Sequence, residues 1–203
     1  MLGGGGGGGG GDGDEAVLPS RVANAIKRAE LSLDGASQSI GSSETAKAVA
    51  SLNSVRLNLA DADKAARRQL KAAPAEDAET TPGPDSVIAV LTLDQTAVTT
   101  ISGLFNRKTG VIVNSLASGL VAAMNTRDKL LTSVIALNPE GAGADYADGM
   151  ADTVAGYDDE VANISEALAD DQLSPVGRSA LTAALSRSKT TQSKVTKAFG
   201  GGE

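Results

Sequence analysis

The sequence predicts an all-α fold: an antiparallel bundle of about five to six helices behind a disordered Gly-rich N-terminal tail. Apolar residues recur at helical spacing along most of the chain, and no run alternates apolar and polar residues as a half-buried strand would. Aromatic content is 2% against 41% hydrophobic, so the core must be built from Ala, Val, Leu and Ile. Such small side chains at helical spacing favour closely packed helices over a sheet. Segments rich in Pro, Gly or acids, such as 74–84 and 138–141, separate the periodic stretches.

Residues 1–17 read as the tail. Gly3 to Gly11 bury nothing and lose the most entropy on ordering. Asp12-Gly13-Asp14-Glu15 has the acids of a calcium loop but lacks the later glycine and glutamate, so no metal is expected there. Met1-Leu2 followed by glycines has neither the basic nor the apolar region of a signal peptide.

Residues 18–73 read as an N-terminal helical hairpin. Ser20 is the expected cap of its first helix, whose stripe is Val22, Ile26, Ala29 and Leu33, and Asp34-Gly35 and Gly41 punctuate the next stretch. Ser42 or Ser43 is the expected cap of a long helix reaching about Ala73. Its stripe is Ala48, Leu52, Val55, Leu59, Ala62, Ala66 and Leu70. Lys64, Arg67, Arg68 and Lys71 lie near its C-terminal end, where cations complement the helix dipole. The alternative for these four is a small patch for an anion or an acidic partner. Residues 74–84 read as a linker, short enough for the hairpin to fold back onto a common bundle.

The rest, 85–203, reads as the main bundle, organised around an apolar hairpin at 85–137. Val87, Leu91, Val98, Ile101 and Phe105 form one stripe, with Asp85 or Ser86 as cap. Asn106 to Gly110 breaks the pattern. The returning stripe is Val113, Leu116, Ala117, Leu120, Met124, Leu131, Val134 and Ile135. Asp94 interrupts the first stripe and Arg127 the second. In one unbroken helix they would stand about 50 Å apart, whereas a hairpin brings them within about one turn. They are the candidate structural ion pair, since an unpartnered buried charge is costly; otherwise both sit at stripe edges in water.

An acidic helix is expected over 144–171 and a basic one over 175–199. The acidic helix buries Tyr146, Met150, Val154, Tyr157, Val161, Ile164 and Leu168, while Asp145, Asp148, Asp152, Asp159, Glu166 and Asp170 gather on the opposite face. No Lys or Arg lies between Lys129 and Arg178, so these acids lack cationic partners in their own helix. They are the interaction candidates: a solvated face, a loose site for divalent cations, or a surface for a basic partner. Ser174-Pro175 opens the basic helix, which turns Leu181, Leu185, Val195 and Phe199 inward around Ser188 and Gln192.

With no cysteine and no histidine, Cys/His zinc sites, disulfides and imidazole-based catalysis are excluded. A formal net charge of −7 argues against nucleic-acid binding. No catalytic residue and no cofactor is expected, and the chain reads as a non-enzyme.

The run Arg21–Leu70, together with VLTLDQTAVTTISGLF and NTRDKLLTSVIAL, resembles uncharacterised, predicted-exported Ala-rich helical proteins of high-GC Gram-positive bacteria. The resemblance implies export and helical architecture, and carries no functional residues to transfer. The expected role is therefore contact with an unidentified protein, another copy of the chain included, outside the cell or in its envelope. The alternative location is the cytoplasm. Alternative activities are a membrane-active hairpin centred on 95–126 and an enzyme using carboxylate chemistry.

Overall fold

The computed structural model describes residues 18–70, 82–105, 112–137 and 146–199. Among them run α1 (Ser20–Gly41), α2 (Thr45–Leu70), α3 (Pro82–Leu104), α4 (Val113–Ile135), α5 (Ala147–Leu168) and α6 (Pro175–Phe199). The tail, the linker proper and the turn at 106–110 lie outside the described residues.

Helices α1 and α2 pair along a seam of small side chains. Ala25, Ala29 and Ala36 of α1 and Ala48, Ala62 and Ala66 of α2 are all buried, which lets the backbones approach closely. The break expected at Asp34-Gly35 does not occur, and α1 runs through it to Gly41. Gly35 sits inside the helix where a Cβ would lie 3.3 Å from the Ser51 hydroxyl, so packing explains it rather than chain reversal. Ser20 does not cap α1; Pro19 precedes the helix, and its carbonyl accepts from Val22 N at 2.8 Å. Nor do Ser42 and Ser43 open α2. They form the turn, with Ser43 at φ 59 and Glu44 N donating to Ser39 O at 2.8 Å.

The hairpin packs on the rest of the bundle. Helix α2 lies against α3 and α4, α1 against α3, α5 against α3 and α6, and α6 against α4. Helix α3 is therefore the central strut, touched by α1, α2, α4 and α5. Its expected stripe is buried throughout, as are Leu116, Leu120, Met124, Leu131 and Val134 of α4. Burying each such side chain contributes about 1.5–3 kcal/mol. Helix α3 starts at Pro82, so Gly83 and Pro84 belong to it rather than to the linker. Proline is tolerated in a first turn because those N–H groups have no helical acceptor anyway.

Among the described residues, Gly83–Leu104 is one helix long and apolar enough to cross a membrane, and 61% of its apolar window is buried inside the bundle. In α6, Ser174 Oγ accepts from Gly177 N at 3.1 Å and Pro175 takes the first position, the expected helix start.

Candidate functional site: a buried charge network and two charged faces

Arg127 comes from the middle of α4 and is fully buried. Its Nη1 lies 2.6 Å from both carboxylate oxygens of Glu160, which is also fully buried, on α5. Its Nε reaches Asp128 Oδ1 at 3.3 Å, and its guanidinium carbon stands 5.0 Å from the centre of the Tyr157 ring. Glu160 also accepts from the Ser188 hydroxyl of α6. Asp128 passes the network outward: Arg187 Nε of α6 donates to its Oδ2 at 2.6 Å, and Arg187 Nη2 to the Met124 carbonyl at 3.2 Å. Burial opposes the Arg127 cation, but Tyr157, Glu160 and Asp128 outweigh it, and its pKa rises. Burial raises the Tyr157 phenol as well.

Asp94 is fully buried, as the stripe position implies, but its expected ion pair with Arg127 is not formed. The carboxylate meets Thr126 instead, whose hydroxyl stands 3.0 Å from Asp94 Oδ1. Thr126 and Arg127 are adjacent on α4, so one turns toward α3 while the other, about 100° further round, turns toward α5 and α6. Burial pushes the Asp94 carboxyl well above the usual carboxylate range, against the Thr126 bond and the positive charge of Arg127; Asp63 and Asp128 add to the rise. The same Thr126 hydroxyl lies 2.9 Å from the Ala123 carbonyl. The one Thr126 proton is thus shared between the Asp94 carboxyl and the backbone of its own helix.

Asp63, on α2, is a third buried acid, after Asp94 and Glu160, and was not among the residues singled out. It holds Arg67 Nη2 at 2.5 Å, yet burial still raises its carboxyl against that hydrogen bond and the charges of Arg67 and Lys129. Glu160 is likewise absent from the residues expected to matter. Both had a signal: Glu160 stands three residues after Tyr157 and four before Ile164, and Asp63 four after Leu59 and three before Ala66. Each therefore lies on its helix's apolar stripe.

The interaction candidates on α5 are only partly placed. Asp145 and the side chain of Asp148 lie outside the described residues. Asp152, Asp159 and Glu166 are exposed, and Asp170 is half-buried just past the helix, its carbonyl accepting from Arg178 at 2.9 Å. Spacing of seven residues sets the three exposed acids at intervals of about 10.5 Å along one side of α5.

The basic residues of α2 border two adjoining clefts. One, of about 590 Å³, is lined by Lys64, Arg67, Arg68, Leu70, Ser133 and Leu137. The other, of about 240 Å³, shares Lys64 and Arg68 and adds Arg21 and Arg28 of α1, with Asp61 beside them.

Among the described residues, no group of three or more acids is arranged to hold a metal ion. The buried network is a clamp: it ties α4, α5 and α6 through charges that exclude water. The α5 acids and the α1–α2 cations are among the charged groups left at the surface. No protein-family model, curated protein or solved structure matches the chain.

Proposed function

We propose that this chain is a non-enzymatic helical interaction protein that acts outside the cell or in its envelope by protein–protein contact. The observation that carries the reading is the exposed acidic side of α5. Asp152, Asp159 and Glu166 are open to solvent on a helix that contains no Lys or Arg. A row of like charges without local compensation is held in place by the fold at some cost, and is available to a basic surface. The export assignment rests on the resemblance of Arg21–Leu70 and the central hairpin to predicted-exported Ala-rich proteins. The groups with perturbed protonation, Asp94, Asp63 and Tyr157, are buried, which favours a structural use for them.

The test is cross-linking in the native host after fractionation. The wild-type chain should be recovered from medium or envelope, cross-linked to a defined protein species, itself included. The Asp152→Asn, Asp159→Asn, Glu166→Gln variant should lose that species while keeping its helical circular dichroism. A wild-type chain that cross-links to nothing, or a variant that captures the same species undiminished, overturns the reading.

A second reading draws on the length and apolar composition of Gly83–Leu104: insertion of the α3–α4 hairpin into a bilayer. Dye release from liposomes supports it; intact vesicles from pH 4 to pH 8 sink it.

A further inference from the structure

We infer that the paired clefts at the α1 start and α2 end receive the acidic side of α5 from a second copy of this chain, in a head-to-tail contact. The inference rests on the interaction role proposed above and names its partner.

The cleft side is built from both helices of the hairpin. Arg21 and Arg28 are seven residues apart on α1, about 10.5 Å along the axis. Lys64 and Arg68 are one turn apart on α2 and belong to both clefts. Arg67 is steered by the buried Asp63 through the 2.5 Å contact at Nη2. Asp63 is the counter-charge of Arg67 alone, and Asp61 stands 3.9 Å from Arg28 with both side chains more than half exposed, so Arg21, Lys64 and Arg68 stay available. The two cationic rows thus line the smaller cleft, and the larger one, sharing Lys64 and Arg68, offers the apolar Leu70 and Leu137.

The occupant is chosen by charge and by repeat. Asp152, Asp159 and Glu166 advance in steps of about 10.5 Å, the interval separating Arg21 from Arg28. A helix lying along the clefts would set two of its acids against those arginines, with the third reaching toward the α2 cations. Within one molecule the α5 acids stay exposed, turned away from the basic clefts. Helix α1 packs on α2 and α3, α5 packs on α3 and α6, and α3 separates them. Joining unlike patches of identical chains is a heterologous contact, which repeats into rings or open chains rather than closing on itself. Pairs of this kind are exposed, so each adds little and the association is weak and salt-sensitive.

Sedimentation velocity of the full chain tests this. At low salt the wild type should form species larger than the monomer, and it should return to monomer at about 0.5 M salt, where screening acts within about 4–5 Å. Two neutralised forms are then made, one with Arg28→Gln, Lys64→Gln and Arg68→Gln, the other with Asp152→Asn, Asp159→Asn and Glu166→Gln. Each alone should be a folded monomer, its self-association weakened about tenfold or more. Mixed together they should form a 1:1 pair, because one keeps the acids and the other keeps the clefts. A wild type that stays monomeric at low salt overturns the inference. So does an assembly that survives in either form alone, or variants that do not pair when mixed. If the wild type is monomeric while the α5 acids still govern cross-linking in the host, only the identity of the partner fails. If cross-linking is also absent, the interaction role falls with it.

Discussion

At Arg127 a guanidinium with no exposed surface meets a carboxylate, Glu160, with none. Replacing either residue alone strands the other charge in a medium of low dielectric. Arg127→Met or Glu160→Met alone should cost about 3–5 kcal/mol, while the double variant should recover most of it, because two apolar side chains need no solvation. Urea unfolding of the three variants measures this, and a double variant no better than the sum of the singles would show the pair is not coupled. Asp94 behaves oppositely. Its carboxyl is raised in the folded state by burial, so the folded chain binds the proton more tightly than the unfolded one. Between the ordinary carboxylate value and the raised one, this acid therefore subtracts stability as pH rises, by at most about 1.4 kcal/mol per pH unit. Asp94→Asn keeps an oxygen to accept from the Thr126 hydroxyl and carries no charge, so it should gain on the wild type as pH climbs from 4 toward neutrality. A constant difference across that range would mean Asp94 is ionised in the fold. At this scale the sequence showed that Asp94 and Arg127 belong to apolar faces, but not their partners. Glu160 takes Arg127 because α5 closes over it, while Asp128 is its neighbour on α4, and which helix faces which is not carried by the periodicity of either one.

Helix α5 illustrates what an apolar stripe leaves open. The expected stripe is buried at Tyr146, Met150, Tyr157 and Ile164, but Thr153 and Glu160 join that line while Val154 and Val161 lie half-buried on its flank. Polar contacts hold the two polar residues there. Gln95 Nε2 of α3 donates to the Thr153 carbonyl at 2.9 Å, and Glu160 turns to Arg127. Glycine permits it. A Cβ at Gly156 would lie 2.8 Å from Gln95 Oε1, whereas one at Gly103 on α3 would meet nothing within 4 Å. Both are helical, so alanine gains about 1 kcal/mol of propensity at each. Gly103→Ala should therefore stabilise by about 0.5–1 kcal/mol. Gly156→Ala should destabilise by about 1–3 kcal/mol as Gln95 is pushed off its carbonyl. Thermal unfolding of the two variants compares them directly, and a stabilised Gly156→Ala would show that α3 and α5 are not closely seated. The stripes of α2, α3 and α4 were legible because they are almost wholly apolar; that of α5 was legible at Tyr146, Met150, Tyr157 and Ile164, but not at Thr153 and Glu160, because a polar side chain on a buried face carries no apolar signal.

At the scale of the molecule, the open point in the sequence was whether 18–73 forms a separate hairpin or part of one bundle. Linker length permits either, and composition does not decide between them. Leu52 does. It is buried on α2, and a Cβ added at Gly119 of α4 would lie 3.5 Å from Ile101 Cδ1 of α3 and 3.8 Å from Leu52 Cδ2. The Leu52 side chain thus ends where α3 and α4 meet, and the hairpin's core and the central hairpin's core are one. Truncating it removes contacts on three helices, so Leu52→Ala should cost about 2–5 kcal/mol. The loss should fall on the whole chain. Far-UV circular dichroism reports all the helices, while the two tyrosines, Tyr146 and Tyr157, both report α5 and its entry. In urea the two signals should shift together by the same amount, because α5 packs on α3 and α3 packs on α2. A variant in which circular dichroism falls first, with the tyrosine signal unmoved, would show a hairpin that unfolds alone. The basic clefts of α1 and α2 would then move independently of the acidic helix, and the head-to-tail contact would join two bodies rather than one.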